Sequence, residues 1–200
     1  MGFSTLLDIL GSMIIGAFLF VILLRMNDTA TKNTYTYASE SIVQQNLVTT
    51  ITILENDFRK IGYCADWEKI ADPGRAILSA DTSSVTFLTD VFPYDGTVDT
   101  IRYYTGDTTS LRVTPNPRDR MLFRVVNKET PGGSNLGITQ FKITYFNSLG
   151  TKIATPVAVP GEIHSMQIDI TVESTAAYDN DYTTAYWRQI RLAAHNLTNR

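Results

Sequence analysis

From Phe3 to Leu24 the chain reads FSTLLDILGSMIIGAFLFVILL, twenty-two residues whose only ionisable side chain is Asp8. Apolar residues fall on every side of a helix drawn through this stretch, so no polar stripe is left for water. At 1.5 Å per residue it reaches about 33 Å, against roughly 30 Å of bilayer hydrocarbon. The pattern predicts a membrane-spanning helix over residues 1–26, closed by Arg25. A removable secretory signal would open on basic residues and end on a small-residue cleavage site; neither flanks this run, and the segment is expected to be retained. Residues 27–41, NDTATKNTYTYASES, are polar and threonine-rich with weak helix propensity, and read as either helix or tether. After them Val43, Leu47, Ile51, Leu54, Phe58 and Ile61 recur at spacings of 4, 4, 3, 4 and 3, an apolar stripe of helical period that Gly62 stops. Glu55 and Arg59 form an exposed pair of favourable order on that helix.

Beyond Cys64 the pattern turns to short β-branched and aromatic runs separated by Gly, Pro, Asn and Asp. Strands are predicted near 75–79, 84–91, 98–105, 110–114, 121–127, 138–147, 162–174 and 185–196. In the clearest, Met166, Ile168, Ile170 and Val172 alternate with Gln167, Asp169 and Thr171, as when one sheet face is dry and the other wet. Phe141, Ile143 and Tyr145 repeat the alternation before a turn at Asn147–Gly150, and the stretches Pro115–Pro117 and Pro131–Gly133 read as loops. The helical stripe over 43–61 needs a cover, and the strand-rich part is the apolar surface available for it. The fold class is therefore α+β: a long N-terminal helix, spanning over 1–26 and continuing through 27–62, packed on an antiparallel β-sheet domain over 63–200.

Composition narrows the chemistry. Seventeen basic against twenty acidic residues give a net charge of −3, too little positive field to hold a phosphate backbone, and no nucleic-acid partner is expected. A single cysteine, Cys64, forms neither an internal disulfide nor a thiolate zinc site, and reads as a small buried hydrophobe. Two histidines, His164 and His195, one at the start of a strand and one at the end of another, leave little material for acid–base work. No nucleophile elbow, zincin, Walker or dinucleotide pattern is present. The chain is expected to be no enzyme, to need no cofactor and to hold no metal; Asp179 and Asp181 are a weak calcium candidate, lacking the glycine bend and closing glutamate of an EF-hand. Asp90, Asp95 and Asp99, around Pro93–Gly96, read as turn chemistry. Two sequons, at Asn27 and Asn196, are short patterns on which nothing is built.

Asp8 is the residue that needs a reason. A carboxylate inside hydrocarbon costs about 2.5–3.5 kcal/mol unless paired, and Arg25, the first basic residue after it, is seventeen residues on, about 25 Å along a helix. A positive partner on another molecule is expected; the alternative is that Asp8, near the helix entry, reaches headgroup water.

A spanning N-terminal helix feeding an antiparallel sheet resembles the type IV pilin superfamily, which includes the type II secretion pseudopilins. Gly2-Phe3-Ser4-Thr5-Leu6-Leu7 resembles the prepilin peptidase site, where cleavage follows a glycine and the new first residue, usually phenylalanine, is methylated. Asp57 to Tyr63 and Arg188 to Asn196 are similar to the larger minor pilins and pseudopilins. The family's carboxylate, usually glutamate, stands fifth after cleavage. Here Leu7 is fifth and Asp8 follows, a rotation of about 100°, and no Lys or Arg precedes Gly2. The resemblance implies processing at Gly2 and Phe3, and an assembly role for Asp8 opposite a neighbour's N-terminal ammonium. It further implies a filament core packed through Leu6, Ile9, Gly11, Ser12, Ile15 and Gly16, with small residues allowing close approach. The implied partners are copies of the same chain, the inner membrane before assembly, and pilus or secretion machinery. The implied location is a single pass through the inner membrane, then an extracellular filament or periplasmic pseudopilus. A non-polymerising minor pseudopilin and a single-span anchored binding domain are the alternatives.

Overall fold

The computed structural model describes residues 2–111, 114–179 and 181–192. It is an α+β arrangement in which a long N-terminal helix, α1 (Gly2–Phe58), packs through its last turns on an antiparallel sheet. The chain divides into two compact units, Met1–Ser39 and Glu40–Arg200, with the boundary inside α1.

The threonine-rich stretch is helix, not tether. Its hydroxyls bond back one turn: Thr29, Thr31, Thr34 and Thr36 donate to the carbonyls of Arg25, Asn27, Ala30 and Lys32 at 2.8–3.0 Å. Satisfied within the helix, these side chains no longer compete for its backbone. At the other end α1 stops at Phe58, three residues short of the predicted stripe; Ile61 is fully buried but lies in the turn beyond. Gly62 takes φ +75° and donates its N–H to Leu88 O at 2.9 Å, so the positive-φ stop also ties the helix exit to the sheet.

The strands are β1 (Ile77–Ala80), β2 (Ser84–Thr89), β3 (Asp99–Thr105), β4 (Arg120–Val126), β5 (Gly132–Phe146), β6 (Lys152–Ile153), β7 (Ser165–Glu173) and β8 (Thr184–Leu192). They lie in the order β1-β2-β3-β4-β5-β7-β8, every pair antiparallel, with β6 added beside the end of β5. One sheet face supplies Val85, Phe87, Ile101, Tyr103, Leu122, Phe141, Ile143, Met166, Ile168 and Ile170, all buried; α1 lays Val43, Leu47, Leu54 and Phe58 on it, with Ile51 half-buried at the margin. The ring of Phe58 meets Phe87 at 5.5 Å and Tyr103 at 5.4 Å, both edge-to-face. Such contacts add about 0.5–1.5 kcal/mol to the burial itself.

Three expectations change. The strand predicted over 110–114 is instead a 3₁₀ turn at Thr108–Leu111; Asp107 accepts the hydroxyls of Thr108 and Thr109, which favours a local turn over a ladder. Residues 112–113 lie outside the described residues. Gly132 and Gly133, read as loop, begin β5, because the Phe123 ring lies where a Gly133 side chain would be, 2.8 Å from an added Cβ. A cross-strand aromatic covering a strand glycine restores the packing that glycine lacks. The strand predicted from 162 starts at Ser165, after a 3₁₀ turn at Pro160–Glu162, and His164 stands half-buried just before it. The last strand is described to Leu192; His195 and the Asn196 sequon lie outside the described residues.

Replacing Phe58 with alanine is expected to cost about 3–5 kcal/mol, whereas Val48→Ala, on the exposed side of α1, should stay within about 0.5 kcal/mol. Urea unfolding of the full chain in detergent, followed by tryptophan fluorescence, measures both.

Candidate functional site

The surface that most needs a partner is the first half of α1. Fifteen large apolar side chains between Phe3 and Leu24 are exposed, from Phe3 at 81% to Val21 at 47%. Fully covering such a side chain is worth about 1.5–3 kcal/mol, so the segment exposes on the order of 20–45 kcal/mol of transferable apolar surface. Folded domains are stable by only about 5–15 kcal/mol. The helix is long and apolar enough to cross a membrane.

Within that helix the expected packing residues separate. At 100° per residue, Asp8, Gly11, Ser12, Ile15 and Gly16 share one face, while Leu6 and Ile9 lie farther round. An added Cβ at Gly11 or Gly16 would meet nothing within 4 Å, and Ser12 turns its hydroxyl back to Ile9 O at 2.9 Å. That face is therefore shallow and free of projecting polar groups except Asp8. Asp8 is exposed and forms no ion pair with any described residue. Gly2 and Phe3, the candidate processing pair, are exposed in the first turn, where Thr5 donates to Gly2 O at 3.1 Å.

In the sheet domain three buried carboxylates, Asp57, Asp90 and Asp169, are held by donors of the fold. Asp57, one residue before Phe58, is buried and its Oδ2 accepts from Tyr103 Oη and from Arg124 Nε, both at 2.6 Å. Burial and then the Asp57 charge push the Tyr103 hydroxyl far above the ordinary tyrosine range. Burial works against the Arg124 charge, yet Asp57 more than offsets it and leaves the guanidinium above its usual value. This trio clamps the end of α1 to β3 and β4. Asp90, read as turn chemistry, is instead fully buried: its Oδ2 accepts the N–H groups of Ala65 and Gly96 at 3.0 Å and faces the buried Cys64 thiol at 3.9 Å. It ties the helix exit to the Pro93–Gly96 turn. Asp95 and Asp99 match the turn reading, capping Thr97 N and Val91 N.

On the other sheet face Asp169 is only 5% exposed and accepts from Gln167 Nε2, Tyr186 Oη and Arg188 Nε at 3.0, 2.8 and 2.5 Å. Burial pushes its carboxyl up, but these donors, Arg188 foremost, outweigh burial and hold it below the usual carboxylate range. Asp179 and Asp181 sit in an exposed turn closed by paired backbone hydrogen bonds between Tyr178 and Asp181, with Asp179 at φ 51°. Asn180 lies outside the described residues. Among the described residues no three His, Cys, Asp or Glu side chains converge on a metal-sized point.

One groove, about 330 Å³, opens between Thr50, Ile53 and Leu54 of α1 and Leu122, Val126 and Leu136 of β4 and β5. Neither this groove nor the buried aspartates are visible in the sequence pattern. The partners of Asp57 come from strands 46 to 67 residues away, and an aspartate beside Pro or Gly reads first as a turn.

No protein-family model matches the chain, and no curated protein matches it in sequence.

The depressed carboxyl of Asp169 sets a pH dependence. Its unfolded value is about 3.9, so its contribution is whole above about pH 4 and is lost as pH falls through the lower folded value. Asp169→Asn should lower stability at pH 7 and flatten the acid limb of a stability–pH curve; an unchanged limb would remove Asp169 as its source.

Proposed function

We propose that the chain is a structural subunit of a type IV pilus-like filament, held in the membrane by the first half of α1 and then polymerised through it, with the sheet domain outside. The observation that carries this reading is the exposed apolar length from Phe3 to Leu24, continuous in one helix with turns that are packed on a folded domain. A helix long and apolar enough to cross a membrane can exchange lipid for copies of itself at small hydrophobic cost, since both surroundings are apolar. The shared face of Asp8, Gly11, Ser12, Ile15 and Gly16 suits that exchange: backbones approach closely at the small residues. Asp8 then meets the N-terminal ammonium of a neighbour, and its desolvation is offset by an opposite charge. Because the contact joins different patches on the two molecules, it need not close, and copies add as an open helix. The pilin-like arrangement of the chain and the Gly2-Phe3 junction support the same assignment to that superfamily.

One observation favours a second reading. The groove beside Ile53 has a size suited to a bound side chain or small molecule, as a single-span anchored binding domain would need.

Asp8→Ala is expected to reduce fibres on producing cells to background while the sheet domain keeps its far-UV circular dichroism and melting temperature. Normal fibres in that variant would refute the pairing. Mass spectrometry of the cellular chain should find a start at methylated Phe3; an intact Met1 would require a different export route, and a membrane-bound chain that forms no fibres would favour the anchored domain.

A further inference from the structure

Four buried aspartates hold this domain together or sit within it, and one differs from the rest. Asp57, Asp90 and Asp169 each receive at least two hydrogen bonds. Asp119, 1% exposed at the end of the loop before β4, receives none on either carboxylate oxygen. A buried ion with no partner costs several kcal/mol, and a native fold that keeps such a group has a reason in an ion, a water or a function.

The loop neighbours of Asp119 have their protons committed elsewhere. Thr114 gives its hydroxyl proton to Leu111 O at 2.9 Å, with Asn116 O at 3.4 Å, and Asp119 N–H donates to that same Asn116 carbonyl at 3.3 Å. Asn116, itself 1% exposed, commits its amide nitrogen to Glu173 Oε2 and Ser174 O, and its side-chain oxygen to Arg118 N–H. Glu173, from β7, adds a second negative charge nearby. Arg118 is turned to Glu173, with Nε at 2.9 Å and Nη2 at 2.7 Å from Oε2, and lies 5.0 Å over the Tyr182 ring. Burial pushes the Asp119 carboxyl up, the Glu173 charge adds to that, and the proximity of Thr114 and the Arg118 charge offset only part of it, although neither makes a hydrogen bond to the carboxylate.

From this geometry we infer that Asp119 anchors a binding site for a hard divalent cation of the calcium class, completed by oxygens of Thr114 and Asn116. Carboxylate, hydroxyl and carbonyl oxygens are the donor set of such ions, and no soft sulfur or imidazole ligand is among these residues. Calcium fits better than magnesium because it accepts irregular carbonyl and hydroxyl shells, where magnesium demands a near-ideal octahedron. The site does not depend on whether the chain polymerises.

The test uses the full chain in detergent, stripped with chelator and then titrated with calcium chloride. The melting temperature should rise by about 5 °C at millimolar calcium, and Asp119→Asn should abolish the rise. Asp181→Asn, in the exposed acidic turn, should leave it intact. Terbium bound at the site should luminesce on tyrosine excitation, because Tyr182 donates to Pro115 O at 3.1 Å in the same loop, and calcium should displace it. Should Asp119→Asn not fold, Thr114→Val is expected to weaken terbium binding about tenfold. The inference is overturned by a wild-type chain that gives neither the calcium shift nor terbium luminescence. A shift retained in Asp119→Asn, or one lost in Asp181→Asn, would also overturn it. So would a chain stabilised by acid but indifferent to calcium, which would mean that a proton serves Asp119.

Discussion

Apolar surface must be covered, and α1 meets that demand in two ways along one helix. Its last turns are covered by the chain's own sheet, where Phe58 stands edge-on between Phe87 and Tyr103. Its first half carries fifteen exposed large apolar side chains between Phe3 and Leu24. The exposed segment carries more transferable free energy than a domain of this size has in net stability, and it is long and apolar enough to cross a membrane. Membrane retention and self-association are the two covers proposed for it.

With a single cysteine the domain has no disulfide to close its loops, and buried carboxylates serve at the joints. Asp57 fastens the helix end to β3 and β4, Asp90 fastens the helix exit to the Pro93–Gly96 turn, and Asp169 gathers β7 and β8 on the opposite face. Each is an acceptor-only group placed where several donors converge, which is the condition under which burying a charge holds a structure in one arrangement. Removing one partner leaves the other exposed to the full desolvation penalty.

Much of the architecture is legible from periodicity. A stripe at spacings of 3 and 4 places Val43, Leu47, Leu54 and Phe58 on a buried helix face, and strict alternation places Met166, Ile168, Ile170 and Val172 on a buried strand face; both follow from where consecutive side chains point. Local periodicity carries less where the deciding partner is distant. Gly133 looks like loop because the Phe123 ring and Met121 side chain that cover it are on another strand. Asp90 looks like turn chemistry because its donors come from residues 65 and 96. The threonines of 27–41 are ambiguous in sequence because their propensity is weak; in the structure they are helical, with their hydroxyls bonded back along the helix. The apolar rod itself is plain in composition, but what covers it is not.

Cryo-electron microscopy of material sheared from producing cells tests the central claim most directly. Fibres built of this chain are expected, with residues 3–24 of many copies bundled along the axis and the sheet domains outside. Dispersed monomers in which that segment lies folded against its own sheet would contradict it.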